Sequence, residues 1–190
     1  NRVRRAIFRS LKNYKEDQSV SLFLEEIIKN DLKYYSVSDA FKSLVAVDTT
    51  AARLLVERLL KRDSHNDVIR KSAITYFGSV MNDDNYDRLV ELSEYGGSSW
   101  DSRPEAVRQL GKYAKEKPET LQIFVNLLKD KSRDVRRNSV RMIGSYGDKK
   151  NIGDEPAFIK SVSQYSRSAF LLTGIKHLGQ IFVKCFSLEP

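Results

Sequence analysis

His65, His177 and Cys185 are the chain's whole stock of histidine and cysteine. A catalytic zinc normally takes three protein ligands, and its commonest helical signature puts two histidines on one turn. His65 runs into Asn-Asp-Val and His177 into Leu-Gly-Gln, so no H-E-x-x-H helix can form, and pooling all three side chains would draw on distant parts of the chain. The sequence predicts no metal site. Phosphate cradles of the G-x-x-x-x-G-K-[ST] or G-x-G-x-x-G kind are missing too, and Gly96-Gly97 reads as the stop of a helix. No nucleophile can be paired with a base from the spacing. The expectation is a chain with no catalytic residue, no cofactor and no metal ligand of its own.

Charge is the chemistry that remains. The net charge is +8 at pH 7, made up of +1 from residues 1–95 and +7 from residues 96–190. Basic side chains crowd residues 1–15, which hold no acid, and the stretch from Lys129 to Lys150. Such clusters suit an acidic protein surface or nucleic acid, although solvated helix faces also carry them. Trp100, in the polar connection GGSSWDSR, is a candidate partner anchor or a lid over a groove between helices.

These side chains need elements to hold them, and composition narrows the choice. The 190 residues are 41% hydrophobic and 31% charged, with 9 Gly and 4 Pro, too few turn formers for a barrel or sandwich. An all-α fold is predicted. There is no uncharged stretch of about 18 residues and no basic, apolar leader, so neither a membrane span nor a signal peptide is expected. One cysteine cannot form an internal disulfide, and a cytoplasmic setting is the expectation.

A repeat of 33 residues organises the chain. Its anchors are Val3, Ser36, Ile69, Ser102 and Val135. Four residues on stand Ile7, Ala40, Ala73, Ala106 and Ser139, and eight on stand Leu11, Leu44, Phe77, Leu110 and Ile143. A shifted sixth copy runs through Phe170, Gly174, Leu178 and Gly179. At about 100° per residue these offsets make one broad buried face, an amphipathic helix in every unit. Between them lie second apolar segments, VSLFLEEIIKND, AARLLVERLLKRD, YDRLVELSEYGG, ETLQIFVNLLKDK and AFIKSVSQY, with starts expected at Ser19, Thr49 and Pro118. A helical pair of this length cannot bury both faces alone. Stacked pairs, a right-handed α-solenoid of about five and a half repeats over residues 1–190, are therefore predicted. The chain opens on the repeated helix without its partner, as a C-terminal fragment of a larger protein would.

The pattern resembles HEAT repeats, whose second helix opens with Val-Arg and continues to an Ala and a Leu-Gly. VRRNSVRMIG and IRKSAITYFG match best and SRPEAVRQLG matches well, while VRRAIFRSLK and SVSDAFKSLV match in part. One position after the anchors stand Arg4, Val37, Arg70, Arg103 and Arg136, inside the buried arc. In the resembled family an Asp of the turn within each repeat pairs with that Arg, which implies a structural ladder built with Asp31, Asp63 and Asp130. Val37 departs from it. The runs NDLKYYSVSDAFKSL and DSHNDVIRKSA are further similar to the C-terminal HEAT-like region of zinc aminopeptidases of the aminopeptidase N type, and to the related TATA-binding-protein-associated factor. That resemblance implies a non-catalytic scaffold whose zinc and peptidase site lie in an upstream domain.

Six residues after the anchors stand Arg9, Lys42, Thr75, Arg108 and Arg141. At about 240° around the helix they oppose the buried face, and stacking would line them up as a basic ridge. The expected partner is the upstream domain of the same protein or another acidic protein surface. Nucleic acid is the second reading, since basic HEAT-like folds include DNA glycosylases that clamp DNA in a basic concave surface.

Overall fold

The computed structural model describes residues 2–146, and every regular element among them is helical. In chain order these are α1 (Arg2–Ser10), α2 (Gln18–Asn30), α3 (Tyr34–Val47), α4 (Thr49–Leu60), α5 (Val68–Phe77), α6 (Asp83–Ser93), α7 (Arg103–Leu110), α8 (Thr120–Leu127) and α9 (Arg133–Tyr146). The repeated segments are the odd-numbered helices and the intervening segments the even-numbered ones. The sixth copy, the AFIKSVSQY segment, His177 and Cys185 lie outside the described residues. No described helix is long and apolar enough to cross a membrane.

Contacts divide the chain into two units, Asn1–Gln109 and Leu110–Pro190. In the first, α3 is the centre. It packs on α1, α2, α4 and α5, and its Val37, Ala40, Phe41 and Leu44 are fully buried. Leu24 and Ile28 of α2 and Leu55 and Leu59 of α4 supply the facing side chains, so apolar burial rather than intrinsic propensity stabilises helices of this length. In the second unit α8 packs on α9, with Phe124, Leu128 and Val135 fully buried.

Anchor residues and those four positions on are buried in α3, α5, α7 and α9, as the period predicts. In α1 they are exposed: Val3 is 74% accessible and Ile7 51%. No helix precedes α1 among the described residues to cover that face.

Helix ends differ by a residue or two from the expected starts. Asp17, not Ser19, caps α2, its carboxylate accepting from the N–H groups of Ser19 and Val20 at 2.9 and 3.2 Å. Asp48 rather than Thr49 caps α4, accepting from Ala51 N–H at 2.9 Å. A carboxylate can take more than one of the donors that a helix start leaves without partners, so it wins the capping position. Asn82 caps α6 in the same way. α6 stops at an extended Glu94, and Gly96, with φ of 92°, takes the third position of the turn that follows, closed by Gly97 N–H donating to the Glu94 carbonyl at 3.1 Å. Gly78 ends α5 for a different reason. A Cβ there would stand 2.8 Å from Cβ of Gln109 and closer still to its amide, so only glycine admits this approach.

Candidate functional site

The repeated arginines are positioned by the first turn of their helices, and what they reach is mostly backbone. Arg70 donates to the Leu60 carbonyl at 2.7 Å, where α4 ends. It also pairs with Asp67 at 2.5 Å and with Asp63 at 3.0 Å, but Asp63 is almost fully solvated. Arg103, 2% exposed, donates twice to the Ser93 carbonyl that ends α6, at 3.0 and 3.2 Å, and lies over the Tyr95 ring. Arg136 donates to the carbonyls of Asp130 and Lys131 at 2.7 and 3.0 Å, while one oxygen of the Asp130 carboxylate accepts from Ser132 N–H. Arg70 and Arg103 take carbonyls left over at the end of the preceding helix, where the helix dipole also favours a cation, whereas Arg136 holds carbonyls of the turn that follows α8.

Val37 breaks the series, and the fold fills the vacancy from elsewhere. Arg62, in the turn after α4, forks onto the carbonyls of Ile28 and Asp31, both at 2.8 Å. Arg4 approaches the Asp31 carboxylate at 2.5 Å, an ion pair without hydrogen-bond alignment. The end of α2 is thus held by arginines from before and after it. Nothing in the 33-residue spacing pointed to Arg62.

The outward residues of the proposed ridge are exposed at Arg9, Lys42, Arg108 and Arg141. They are not equivalent. Arg9 shares the buried Asp39 carboxylate with Arg5, at 3.2 and 2.6 Å. Thr75 donates its hydroxyl to the Lys71 carbonyl and to Glu105. Glu105 also accepts from Gln109 and pairs with Arg108, and that hydrogen bond raises the proton affinity of the Arg108 guanidinium. Arg141, in the second unit, lies 3.4 Å from the Asn138 side-chain oxygen. Lys42 is the ridge member with no partner among the described residues. Asp39 and Glu105 therefore partly neutralise the row, and both were missed because each sits about 30 residues from a side chain it binds. Trp100 is 59% exposed.

His65 is exposed beside the Tyr34 ring, 6.1 Å between centroids. No group of three or more His, Cys, Asp or Glu with metal-binding geometry occurs among the described residues. Compared with protein-family models, curated proteins and solved structures, the chain matches none.

Proposed function

We propose that this chain is a non-catalytic scaffold and interaction domain, a right-handed α-solenoid of HEAT-like helix pairs in about five and a half repeats. The observation that supports this most is the arginine one position after the anchor, which in Arg70 and Arg103 meets the carbonyl that ends the preceding helix and in Arg136 the carbonyls of the turn between α8 and α9. In a stacked repeat such a contact ties each helix to the segment before it, and where Val37 lacks the guanidinium Arg62 supplies one. The parent protein in this reading is a zinc aminopeptidase of the aminopeptidase N type, which removes N-terminal amino acids through an upstream domain. That assignment rests on the resemblance of residues 30–44 and 63–73, and an H-E-x-x-H helix upstream of Asn1 is its test.

Docking is assigned to the outward face of α1 and α3, where Lys42 has no partner among the described residues and Arg5 and Arg9 outnumber Asp39. The partner is acidic protein, in the same polypeptide or another. Lys42→Glu together with Arg9→Gln should weaken association with an acidic peptide at least tenfold at low salt, and less at high salt. Unchanged association with the helical spectrum intact removes docking from this face. Loss of duplex DNA binding with a steep salt slope, without loss of peptide binding, moves the function to nucleic acid.

A further inference from the structure

We propose that the cleft where the first turns of α4 and α6 meet the end of α5 is a binding site for a small zwitterion of the α-amino-acid kind. The cleft has a volume of about 290 Å³, and Arg53 of α4, Tyr76 of α5, and Asp84 and Asn85 of α6 are among the residues that line it. That is the lower end of the range for small-ligand sites, room for one amino acid. No lining residue belongs to the docking face of α1 and α3, so the two readings stand or fall separately.

Tyr76 carries the argument. It is 3% exposed, its ring packs against Phe41 and Phe77 with centroids 6.5 and 5.4 Å away, and its hydroxyl has no hydrogen-bond partner. Among the described residues, the side-chain atoms that lack a partner while sealed from solvent belong to Asp31, Ser36 and Gln109, so the Tyr76 oxygen is open to the cleft it lines. Burial raises the proton affinity of the phenol, against the pull of the Arg53 charge, which keeps the group a neutral donor. An anionic oxygen between this hydroxyl and the Arg53 guanidinium would serve both.

The other wall accepts. Asn85, 9% exposed, gives its Nδ2 to the Val80 carbonyl at 2.5 Å and its backbone N–H to the Asn82 side-chain oxygen at 2.8 Å, which leaves its own Oδ1 as an acceptor without a donor. Asp84 stands beside it, and neither the Asp84 nor the Arg53 side chain has an ion pair or hydrogen bond among the described residues. Two opposite charges thus share one cleft without reaching each other. A plain anion would face the Asp84 carboxylate and a plain cation the Arg53 guanidinium, and either juxtaposition is repulsive. A zwitterion satisfies both walls, its carboxylate taken by Arg53 and the Tyr76 hydroxyl, its ammonium by Asp84 and Asn85 Oδ1.

The probe is L-alanine, titrated at neutral pH and constant ionic strength and followed by amide chemical shifts and calorimetry. N-acetyl-L-alanine and L-alaninamide, each lacking one of the two charges, are titrated in parallel. The expected result is saturable binding of alanine at one site that shifts the Arg53, Tyr76 and Asn85 amides, with each analogue at least about tenfold weaker. Tyr76→Phe removes one oxygen and keeps the ring in its packing, so it should retain the helical spectrum yet weaken alanine at least about fivefold. Arg53→Gln and Asp84→Asn should weaken it similarly, and Arg58→Gln, the same change in net charge as Arg53→Gln on the same helix but outside the cleft, should not. Should Arg53→Gln or Asp84→Asn fail to fold, Tyr76→Phe and the two analogues decide. Absence of saturable binding, wild-type affinity in Tyr76→Phe, undiminished affinity for either analogue, or equal loss in Arg53→Gln and Arg58→Gln overturns the site.

Discussion

Replacing Arg70 with alanine removes one side chain that serves three acceptors of very different worth. Asp63 lies 3.0 Å away, but its carboxylate is 95% exposed, so this pair contributes close to nothing once solvent screens it. The Leu60 carbonyl, at 2.7 Å, loses a charge-assisted donor worth about 1.5 kcal/mol. Asp67 matters most. Its side chain is 12% exposed, it accepts from Arg70 at 2.5 Å and from the Ser99 hydroxyl, and its backbone stands in the left-handed region at φ 53° beside Asn66 at φ 52°. Two successive residues in that region persist only where the surroundings hold them. Leaving the carboxylate without its cation there costs about 1–2 kcal/mol more. The total is about 3 kcal/mol, or a fall in melting temperature of about 6–12 °C for a chain of this size. Thermal and urea unfolding of wild type, Arg70→Ala, Asp67→Asn and the double variant would measure it. The coupling between 70 and 67 should be at least about 1 kcal/mol. A single-variant loss below about 0.5 kcal/mol, or strict additivity, would mean that the guanidinium is solvated and the joint reading is wrong.

Three further outcomes follow from the same contacts. The Asp48 carboxyl is held below the usual carboxylate range, chiefly by Ala51 N–H and then by the Ser21 hydroxyl. Its contribution is present above the unfolded value near pH 4 and lost as pH falls through the lower folded value, so Asp48→Asn should flatten the acid limb of a stability–pH curve and leave its slope near pH 7 unchanged. Gly78→Ala should destabilise by about 1–3 kcal/mol in chemical denaturation, because the new methyl meets Gln109, and adding Gln109→Ala should recover most of it. Lys42→Glu with Arg9→Gln, measured against acidic peptide and duplex DNA at two salt concentrations, carries the docking prediction given above.

Where helices form, and which of their faces are buried, was legible in the sequence, because both follow from spacing along one segment. The step that aligns Ser36, Ile69, Ser102 and Val135 identifies residues that are all buried, and the arginine after two of them reaches a helix end. Partner choice was not legible in that spacing. Asp31 receives Arg4, Arg62 takes the place that Val37 leaves open, and Glu105 reaches Thr75. Each of these depends on how close two segments about 30 residues apart come, and on which of several chemically equivalent charges has the shorter reach. Periodicity is a property of one helix and survives in the linear sequence. The Arg62 fork onto the end of α2, the shared Asp39 carboxylate and the left-handed Asp67 are set by what stands across a gap of a few ångströms, and only the tertiary structure decides that.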